Sequence, residues 1–381
     1  MNLINIGDNK YMNILITGAK GFIGKNLVSV LKTMKDYTLF EYDIDCEYEL
    51  FEKYTKECNF VIHLAGVNRP QNELEFIDGN VDFTEKLLVK LQKNHNKSPI
   101  VMSSSIQVLV DNPYGKSKKA AEDLLIHYSK NYSVPVYIYR LPNVFGKWCR
   151  ANYNSVVATF CYNIANDINI TVNDSNAVVT LTYIDDVVQN FIDNIVNGKV
   201  AQNNRYCEVF PTYKTTVGEI AKLIYSFKES RTTREVADLS DEFVKKLYAT
   251  YLSYLPQNKF CYPLKMNIDD RGAFTEFIRT PDRGQISVNI SKPGIIKGNH
   301  WHQTKNEKFL VVKGNGVVKF RQIGTYEVIE YHVSGDKFEV VDIPVGYTHN
   351  IQNMGNDEMI TIIWASEEFD PEKPDTIYEE V

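Results

Sequence analysis

The sequence lacks several features that would point to a membrane, an export route or a thiol-based site. No apolar run approaches the roughly 20 residues that a membrane-spanning helix needs. The six cysteines include no CxxC pair, so neither a disulfide framework nor a thiolate zinc site is indicated. The opening segment MNLINIGDNKYM has no basic stretch ahead of an apolar core, so we expect no signal peptide and interpret residues 1–11 as an extension before a start at Met12. These absences predict a cytoplasmic protein that does not contact a membrane.

An excess of positive charge is also absent. Lys and Arg number 42 against 48 Asp and Glu, a formal net charge of −6. A protein of this charge is not expected to bind nucleic acid. The chain has 381 residues, of which 44% are hydrophobic, an ordinary composition for a globular protein of two or three domains.

The first half of the sequence alternates between strand-like and helix-like segments. NILITGAKGFIGKNLVSVLK reads as a strand, a glycine turn and a helix, and later strands are predicted at YTLFEYD, NFVIHLAG and PIVMSSS. Repeated β-α-β units predict a doubly wound parallel sheet with helices on both faces, a Rossmann domain over residues 12–245.

The pattern changes near residue 240, and helical periodicity almost disappears after Tyr262. Short apolar segments separated by Gly, Pro and Asp follow one another, among them GQISVNIS, EKFLVVKG, VVKFRQI and MITIIWAS. Such a pattern is typical of an all-β barrel or jelly roll. We therefore predict a second domain over residues 257–381.

A glycine-rich segment, TGAKGFIG, joins the first predicted strand to the first predicted helix. Glycines let the backbone approach a pyrophosphate, and the helix N-terminus offers free N–H groups to it. The candidate cofactor-binding residues of this loop are Gly18, Lys20, Gly21, Phe22, Ile23 and Gly24. Asp43, at the end of the second strand, suits the ribose 2′-hydroxyl of NADH, whereas Lys20 would favour the 2′-phosphate of NADPH, so both cofactors stay open.

Two further segments carry residue types suited to proton transfer. NPYGKSK places Tyr114 four residues before Lys118, on one face of a helix. A lysine there can hold the cofactor ribose and lower the pKa of the tyrosine, which would act as proton donor or acceptor. Ser105, in SSSIQV, would hydrogen-bond the substrate oxygen. The alternative is a surface tyrosine and lysine on an ordinary helix.

Together these motifs resemble the extended short-chain dehydrogenases that act on nucleotide sugars. In VIHLAG, the resemblance implies that Leu64, Ala65 and Gly66 lie beside the cofactor. GNVDFT and RLPNVFG imply a cofactor contact for Pro142 and substrate contacts for Asn80 and Asn143. Ile106 and Gln107 stand where the 4,6-dehydratases of this family carry an Asp-Glu pair, which favours ketone reduction or C4 epimerisation over dehydration.

A different set of ligand-type residues lies near the other end of the sequence. In GIIKGNHWHQTKNEKFLVVKG, His300 and His302 are two residues apart and would face the same side of a strand. Glu307 and, from PVGYTHNIQN, His349 could complete a metal site, a pattern that resembles the two motifs of the cupin family. Three imidazoles and a carboxylate suit Zn²⁺, which we favour, as well as Fe²⁺, Mn²⁺ or Ni²⁺. The alternative is a polar core without metal.

A reductase and a cupin in one chain resemble the CapF family of bifunctional capsular polysaccharide synthesis enzymes. The segments that carry this resemblance include VIHLAGVNRP, NVFGKWC, DDRGAFTEF and TPDRGQISVNISKPG. The resemblance implies that the cupin epimerises C3 of a UDP-2-acetamido-2,6-dideoxy-4-ketohexose. The reductase then reduces the C4 ketone with NADPH to UDP-N-acetyl-L-talosamine, a precursor of N-acetyl-L-fucosamine in capsule or O-antigen.

Two other functions stay open at this point, as does the oligomer. The cupin could be a non-catalytic, metal-stabilised dimerisation module beside a single-function 4-ketoreductase. Alternatively, the first domain could be a C4 epimerase with tightly held NAD. The aromatic residues of the predicted β domain favour a homodimer.

Overall fold

A computed structural model describes residues 12–197, 206–368, 372 and 374–381. The described chain forms two compact units. The first contains residues up to Ile224 together with Lys246–Leu255, and the second contains Tyr225–Lys245 together with the chain from Pro256. The predicted domain boundaries, 12–245 and 257–381, stay predictions. They place Tyr225–Lys245 in the first domain, whereas the structure groups this segment with the second unit. The predicted N-terminal extension, residues 1–11, lies outside the described residues.

The first unit is built around a parallel sheet of six strands in the order β2-β1-β3-β4-β5-β8. A smaller sheet has the order β6-β7-β9. The strands are β1 (Met12–Thr17), β2 (Tyr37–Tyr42), β3 (Phe60–His63), β4 (Ile100–Ser105), β5 (Val136–Leu141), β6 (Asn143–Phe145), β7 (Val178–Tyr183), β8 (Tyr206–Cys207) and β9 (Tyr213–Thr216).

Helices lie between the strands of the parallel sheet, as crossover connections require, and two more helices follow the last strand. They are α1 (Phe22–Leu31), α2 (Tyr48–Glu57), α3 (Leu74–Phe76), α4 (Phe83–Lys93), α5 (Pro113–Tyr132), α6 (Val156–Ala165), α7 (Ile184–Asn197), α8 (Val217–Thr233) and α9 (Glu242–Ser253). A π-helix (Ile77–Asp82) precedes α4, and short 3₁₀ helices span Ile106–Leu109 and Gln257–Lys259.

The core of the first unit explains why the sheet is covered on both faces. Alternate side chains of β1 enter two different apolar clusters, with Ile14 and Ile16 in one and Leu15 in the other. A strand with apolar residues on both sides is stable only between two helical layers. The predicted Rossmann-like α/β architecture of this unit is confirmed.

The second unit contains antiparallel strands in two sheets, which confirms the predicted all-β architecture. The sheet orders are β10-β11-β12-β19-β14-β17 and β16-β15-β18-β13-β20. The strands are β10 (Asn267–Asp269), β11 (Gly272–Thr280), β12 (Gly284–Ser291), β13 (Ile296–Trp301), β14 (Glu307–Lys313), β15 (Asn315–Gln322), β16 (Val328–Ser334), β17 (Val340–Ile343), β18 (Tyr347–Asn353), β19 (Met359–Ala365) and β20 (Ile377–Tyr378).

The two antiparallel sheets pack face to face over one apolar core. Phe309 and Val311 of β14 enter this core from the first sheet, and Phe320 and Ile351 enter it from the second. All four side chains are buried. The inward face of each strand alternates with an outward face, as the short apolar segments of the sequence predict.

Among the described residues, none of the helices combines the length and the apolarity that crossing a bilayer requires.

Candidate cofactor and metal sites

The glycine loop between β1 and α1 is tightly packed against the end of β3. Gly18 has a φ of +71°, and a Cβ on it would lie 2.7 Å from the backbone N of Ala65. A Cβ on Gly24 would lie 2.2 Å from the carbonyl O of Gly18. Any larger residue at either position would have to displace backbone atoms, so close packing alone requires these two glycines. The same close packing places the backbone of Leu64 and Ala65 against the loop.

The end of β2 contributes two carboxylates beside this loop. The backbone N–H of Lys20 donates to Oδ2 of Asp43 (2.7 Å), and Oδ1 of Asp43 accepts from the N–H of Ile44 (2.9 Å). The ammonium of Lys20 forms an ion pair with Asp45. Lys20 is therefore already paired with a carboxylate, and the charge at this corner is negative.

Helix α5 positions the predicted proton-transfer residues. The side chain of Asn112 caps the helix by accepting from the N–H of Gly115 (2.7 Å), and Pro113 occupies the first turn. Tyr114 and Lys118 follow one turn apart, so their side chains share a helix face.

Burial shifts the pKa of both side chains from its ordinary value. Lys118 is 5% exposed, and its Nζ donates to the carbonyl O of Ser103 (2.8 Å). Burial lowers the pKa of Lys118 to about 8, although the nearby Glu122 carboxylate acts in the opposite direction. Burial raises the pKa of Tyr114, against a smaller lowering by the hydroxyl of Ser105. The phenol of Tyr114 is therefore protonated at neutral pH and lies within reach of Ser105.

Gly66, Asn80 and Lys118 come together at the carboxyl end of the sheet. A Cβ on Gly66 would lie 2.6 Å from Oδ1 of Asn80 and 3.6 Å from Nζ of Lys118. The amide of Asn80 exchanges hydrogen bonds with the backbone of Val67 (both 2.9 Å) and donates to Oγ of Ser117 (2.9 Å). Asn80 thus joins the segment after β3 to α5, a positioning role that the sequence did not indicate.

Two further candidates, Pro142 and Asn143, lie where the chain passes from the large sheet to the smaller one. Pro142 separates β5 from β6, and Asn143 is the first residue of β6. The side chain of Asn143 is exposed, and its Nδ2 donates to the carbonyl O of Thr180 (3.3 Å). Their predicted cofactor and substrate contacts stay predictions.

A buried carboxylate one turn beyond Lys118 escaped the sequence analysis. Glu122 is fully buried and accepts hydrogen bonds from Ser104 (2.6 Å) and from Nε and Nη2 of Arg140 (3.0 and 2.6 Å). The ion pair links α5 to β5, and the hydrogen bond from Ser104 links α5 to β4. The only sequence signal was the four-residue spacing from Lys118, which is more typical of a solvent-exposed helix pair.

The four predicted metal ligands converge in the second unit. Their ligand atoms all lie within 4.8 Å of one another. His300 in β13 pairs across the sheet with His349 in β18, and His302 follows β13 directly. Oε2 of Glu307, the first residue of β14, lies 3.5 Å from Nε2 of His302 and 3.2 Å from Nε2 of His349.

The chemistry of this cluster fits a divalent cation. His302 and His349 are 2% and 0% exposed, yet Nε2 of His302 and both ring nitrogens of His349 have no hydrogen-bond partner in the described part of the chain. Buried polar atoms without partners are costly, and a cation would satisfy them. Burial lowers the pKa of His300 to about 4, so this imidazole is neutral, as a ligand must be. Burial by itself raises the pKa of Glu307. The adjacent imidazoles of His302 and His349 together lower it by more, so the pKa lies below its ordinary value and the carboxylate is charged.

Comparison with known proteins identifies relatives of both units. The model of the NAD dependent epimerase/dehydratase family matches residues 14–205. The model described as the polysaccharide biosynthesis C-terminal domain matches residues 267–377. The structure of a UDP-N-acetylglucosamine 4-epimerase from Methanobrevibacter ruminantium covers 64% of this chain and 98% of its own, with a TM-score of 0.54 and 20% identity, and so shows the fold alone.

Two relatives match nearly the whole chain. The crystal structure of the capsular polysaccharide assembling protein CapF from Staphylococcus aureus is 56% identical, with a TM-score of 0.91 over 97% of this chain and 100% of that one. The UDP-2-acetamido-2,6-beta-L-arabino-hexul-4-ose reductase of Pseudomonas aeruginosa is 44% identical over 365 residues, which are 96% of this chain and 98% of that protein. Both units therefore occur together in these relatives.

Proposed function

This chain belongs to the CapF family of capsular polysaccharide assembling proteins, and from that membership we propose that it is a bifunctional enzyme acting on a UDP-linked sugar. The second unit epimerises C3 of a UDP-2-acetamido-2,6-dideoxy-4-ketohexose, and the first unit reduces the C4 ketone. The product is UDP-N-acetyl-L-talosamine, a precursor of N-acetyl-L-fucosamine. The observation that carries the proposal is the presence of two separate sets of functional groups, one suited to proton transfer and one suited to a metal. They occur in a chain of which 96% matches a UDP-hexul-4-ose reductase.

The proposed first reaction requires an acidic C3–H bond. A proton beside a ketone is acidic because the negative charge that remains is shared with the carbonyl oxygen. Once C4 is reduced to an alcohol, that acidity is lost and the configuration at C3 is fixed. Epimerisation must therefore precede reduction, and reduction removes the epimer from the equilibrium. This order gives a chemical reason for both activities in one chain.

We assign the second unit to the cupins and propose zinc as its metal. His300, His302, Glu307 and His349 would hold the ion, and the buried, unpartnered ring nitrogens of His302 and His349 support this assignment. Three nitrogen ligands and one oxygen suit zinc. A divalent ion there would polarise the C4 carbonyl of the substrate and stabilise the charge that develops when the C3 proton leaves.

In the first unit, Tyr114 would deliver its phenolic proton to the C4 oxygen. Its raised pKa keeps that proton in place at neutral pH, which is the state that a proton donor requires. Ser105 would donate a hydrogen bond to the same oxygen and orient the ketone. Lys118, one helical turn from Tyr114, would hold the ribose of the cofactor. A reduced nicotinamide bound at the glycine loop would supply the hydride.

The two reduced cofactors are favoured by different features of this protein. Family membership implies NADPH. The negative corner formed by Asp43 and Asp45 favours NADH, because it repels a 2′-phosphate and Lys20 is already paired.

Asp43→Asn is expected to raise the ratio of kcat/KM for NADPH to kcat/KM for NADH about fivefold, whichever cofactor the unmodified protein prefers. Asn keeps the acceptor for the N–H of Lys20 but removes one unit of charge, and two unit charges ~4 Å apart in water interact by ~1 kcal/mol. Steady-state kinetics with both cofactors measures the ratio. Asp36→Asn, which removes an exposed carboxylate just before β2, is the matched control. An unchanged ratio in Asp43→Asn would show that this carboxylate does not face the 2′ position.

Proton NMR of the UDP-4-ketosugar in D₂O tests the bifunctional proposal directly. With the protein present and nicotinamide omitted, we expect deuterium to replace the C3 proton. The C5 proton is also adjacent to the ketone and serves as an internal control for site-specific exchange. Addition of NADPH should then consume one cofactor per sugar reduced.

Two other outcomes would identify the competing functions. Cofactor consumption without any exchange at C3 would make the protein a single-function 4-ketoreductase with a structural second unit. Interconversion of C4 epimers without net cofactor consumption would indicate an epimerase that retains NAD.

A further inference from the structure

The C-terminal segment, residues 374–381, runs beside the strand that carries His300. Its β20 pairs antiparallel with β13, placing Tyr378 opposite His300 and Ile377 opposite Trp301. The N–H of Glu379 continues this pairing by donating to the carbonyl O of Asn299 (3.0 Å). The segment therefore closes one edge of the sheet at the level of the metal ligands.

At the start of this segment, the carboxylate of Asp375 binds the loop that joins His302 to Glu307. Oδ1 accepts from the N–H of Gln303 (3.0 Å). Oδ2 accepts from the N–H and the hydroxyl of Thr304 (2.8 and 3.0 Å) and from the N–H of Lys305 (2.9 Å). Three successive backbone N–H groups thus point at one carboxylate, and hydrogen bonds to a charged acceptor are the stronger kind.

The backbone of Asp375 acts on the ligand itself. Its carbonyl oxygen is hydrogen-bonded to Nδ1 of His302. A carbonyl oxygen only accepts, so Nδ1 carries the hydrogen and the lone pair of His302 lies on Nε2. Nε2 is the atom that faces Glu307 and that has no hydrogen-bond partner in the described structure. The residue 73 positions further along the chain therefore selects the tautomer of His302 that a metal ligand requires.

We propose that Asp375 is a positioning residue of the metal centre. Its carboxylate fixes the loop between the ligands His302 and Glu307. Its carbonyl oxygen fixes the ring and the tautomer of His302, the ligand at which that loop begins. This inference rests on the proposed binding of a divalent transition-metal ion by the four ligands. Outer partners of metal-bound histidines raise metal affinity by holding the ring in place before the ion arrives. The loop between His302 and Glu307 is then ordered when the protein folds, so its loss of conformational entropy does not reduce the free energy of metal binding.

Substitution of Asp375 changes its carboxylate but leaves a backbone carbonyl at the same position. Asp375→Ala removes the acceptor of three N–H groups and frees the loop and the carbonyl together. Asp375→Asn keeps an oxygen that can accept from Thr304 and Lys305 and loses chiefly the charge. Glu380→Ala is the matched control, because this carboxylate lies in the same segment but accepts only from the hydroxyl of Tyr378 (3.1 Å) among the contacts described for it.

The test measures metal binding in the full-length protein, independently of catalysis. Metal-free wild type and variants would be titrated with Zn²⁺ in competition with a chromophoric chelator, and their Co²⁺ forms would be compared by visible absorption. We expect Asp375→Ala to weaken zinc binding by about 10- to 100-fold and to shift the Co²⁺ bands. Asp375→Asn should recover most of the affinity, and Glu380→Ala should bind like wild type.

The outcomes separate this inference from the proposed function on which it rests. A wild type that binds no zinc would overturn the metal centre itself. Zinc affinity and Co²⁺ bands in Asp375→Ala equal to those of a zinc-binding wild type would overturn only the role of Asp375. Thermal unfolding of the metal-free forms checks that the variants fold. If Asp375→Ala does not fold, Asp375→Glu takes its place in the test. Its carboxylate is displaced by one methylene group, so we expect it to bind zinc more weakly than Asp375→Asn does. Equal zinc binding by these two variants would overturn the role of Asp375.

Discussion

Tyr114→Phe is expected to lower kcat for nicotinamide-dependent reduction of the ketosugar by a factor of about 10² to 10⁴. The substitution removes one hydroxyl, and with it the proton that we assign to the C4 oxygen. The raised pKa of Tyr114 makes that phenol a protonated donor at neutral pH, and neither Ser105 nor Lys118 would replace it at the same position. The decrease in absorbance of the reduced cofactor at saturating substrate measures kcat.

Two further measurements distinguish loss of the proton donor from loss of the site. Cofactor binding, followed by fluorescence titration, should change little in Tyr114→Phe, because Lys118 and the glycine loop are intact. Deuterium exchange at C3 should also persist, since it is assigned to the second unit. Tyr132→Phe, at the exposed end of the same helix, is the matched control and should reduce the ketone normally. Turnover of Tyr114→Phe within a few-fold of wild type would refute the assigned role.

His302→Ala is expected to abolish both zinc binding and deuterium exchange at C3. Removing one of the four proposed ligands would leave a buried carboxylate and two imidazoles without the proposed cation, and these groups would not polarise the ketone in its place. The reduction of a substrate that has already been epimerised should continue at the wild-type rate, because we assign the proton donor to the other unit. Metal analysis of the purified protein, proton NMR in D₂O and cofactor consumption give the three readouts.

His332→Ala provides the control for this second prediction. His332 lies in β16 of the same unit, and its side chain is exposed. It is absent from the four-residue cluster, so its loss should leave zinc content and exchange unchanged. If His302→Ala lost zinc but still exchanged C3, the metal would have a structural role, and the second unit would carry out its chemistry without it.

Most of the architecture followed from local patterns. Alternating β and α segments predicted the parallel sheet, and short apolar segments such as GQISVNIS predicted the strands of the second unit, where that segment forms β12. These predictions held because the period of a side-chain pattern depends only on the backbone of its own element. The grouping of Tyr225–Lys245 with the second unit did not follow from any such pattern. It depends on tertiary contacts such as the bridge between Glu235 and Arg279 and the ion pair of Arg234 with Glu276.

The candidate sites divide in the same way. Gly18 and Gly24 were recognisable because the turn between a strand and a helix restricts them locally, and Tyr114 and Lys118 because one helical turn brings them together. Glu122 was missed because its four-residue spacing from Lys118 is also that of a surface ion pair, and only the fold shows that it is buried against Arg140.

The sequence by itself determined the two architectures, the glycine loop, the candidate proton-transfer pair and the types of residue that could bind a metal, because each depends on spacing within one element or one turn. The tertiary structure alone decided which of these residues meet. His300 faces His349 because of the register between β13 and β18, and Asp375 reaches the loop after His302 because β20 pairs with β13. Strand register is set by the packing of a whole sheet against its core, so no local pattern in the sequence contains it.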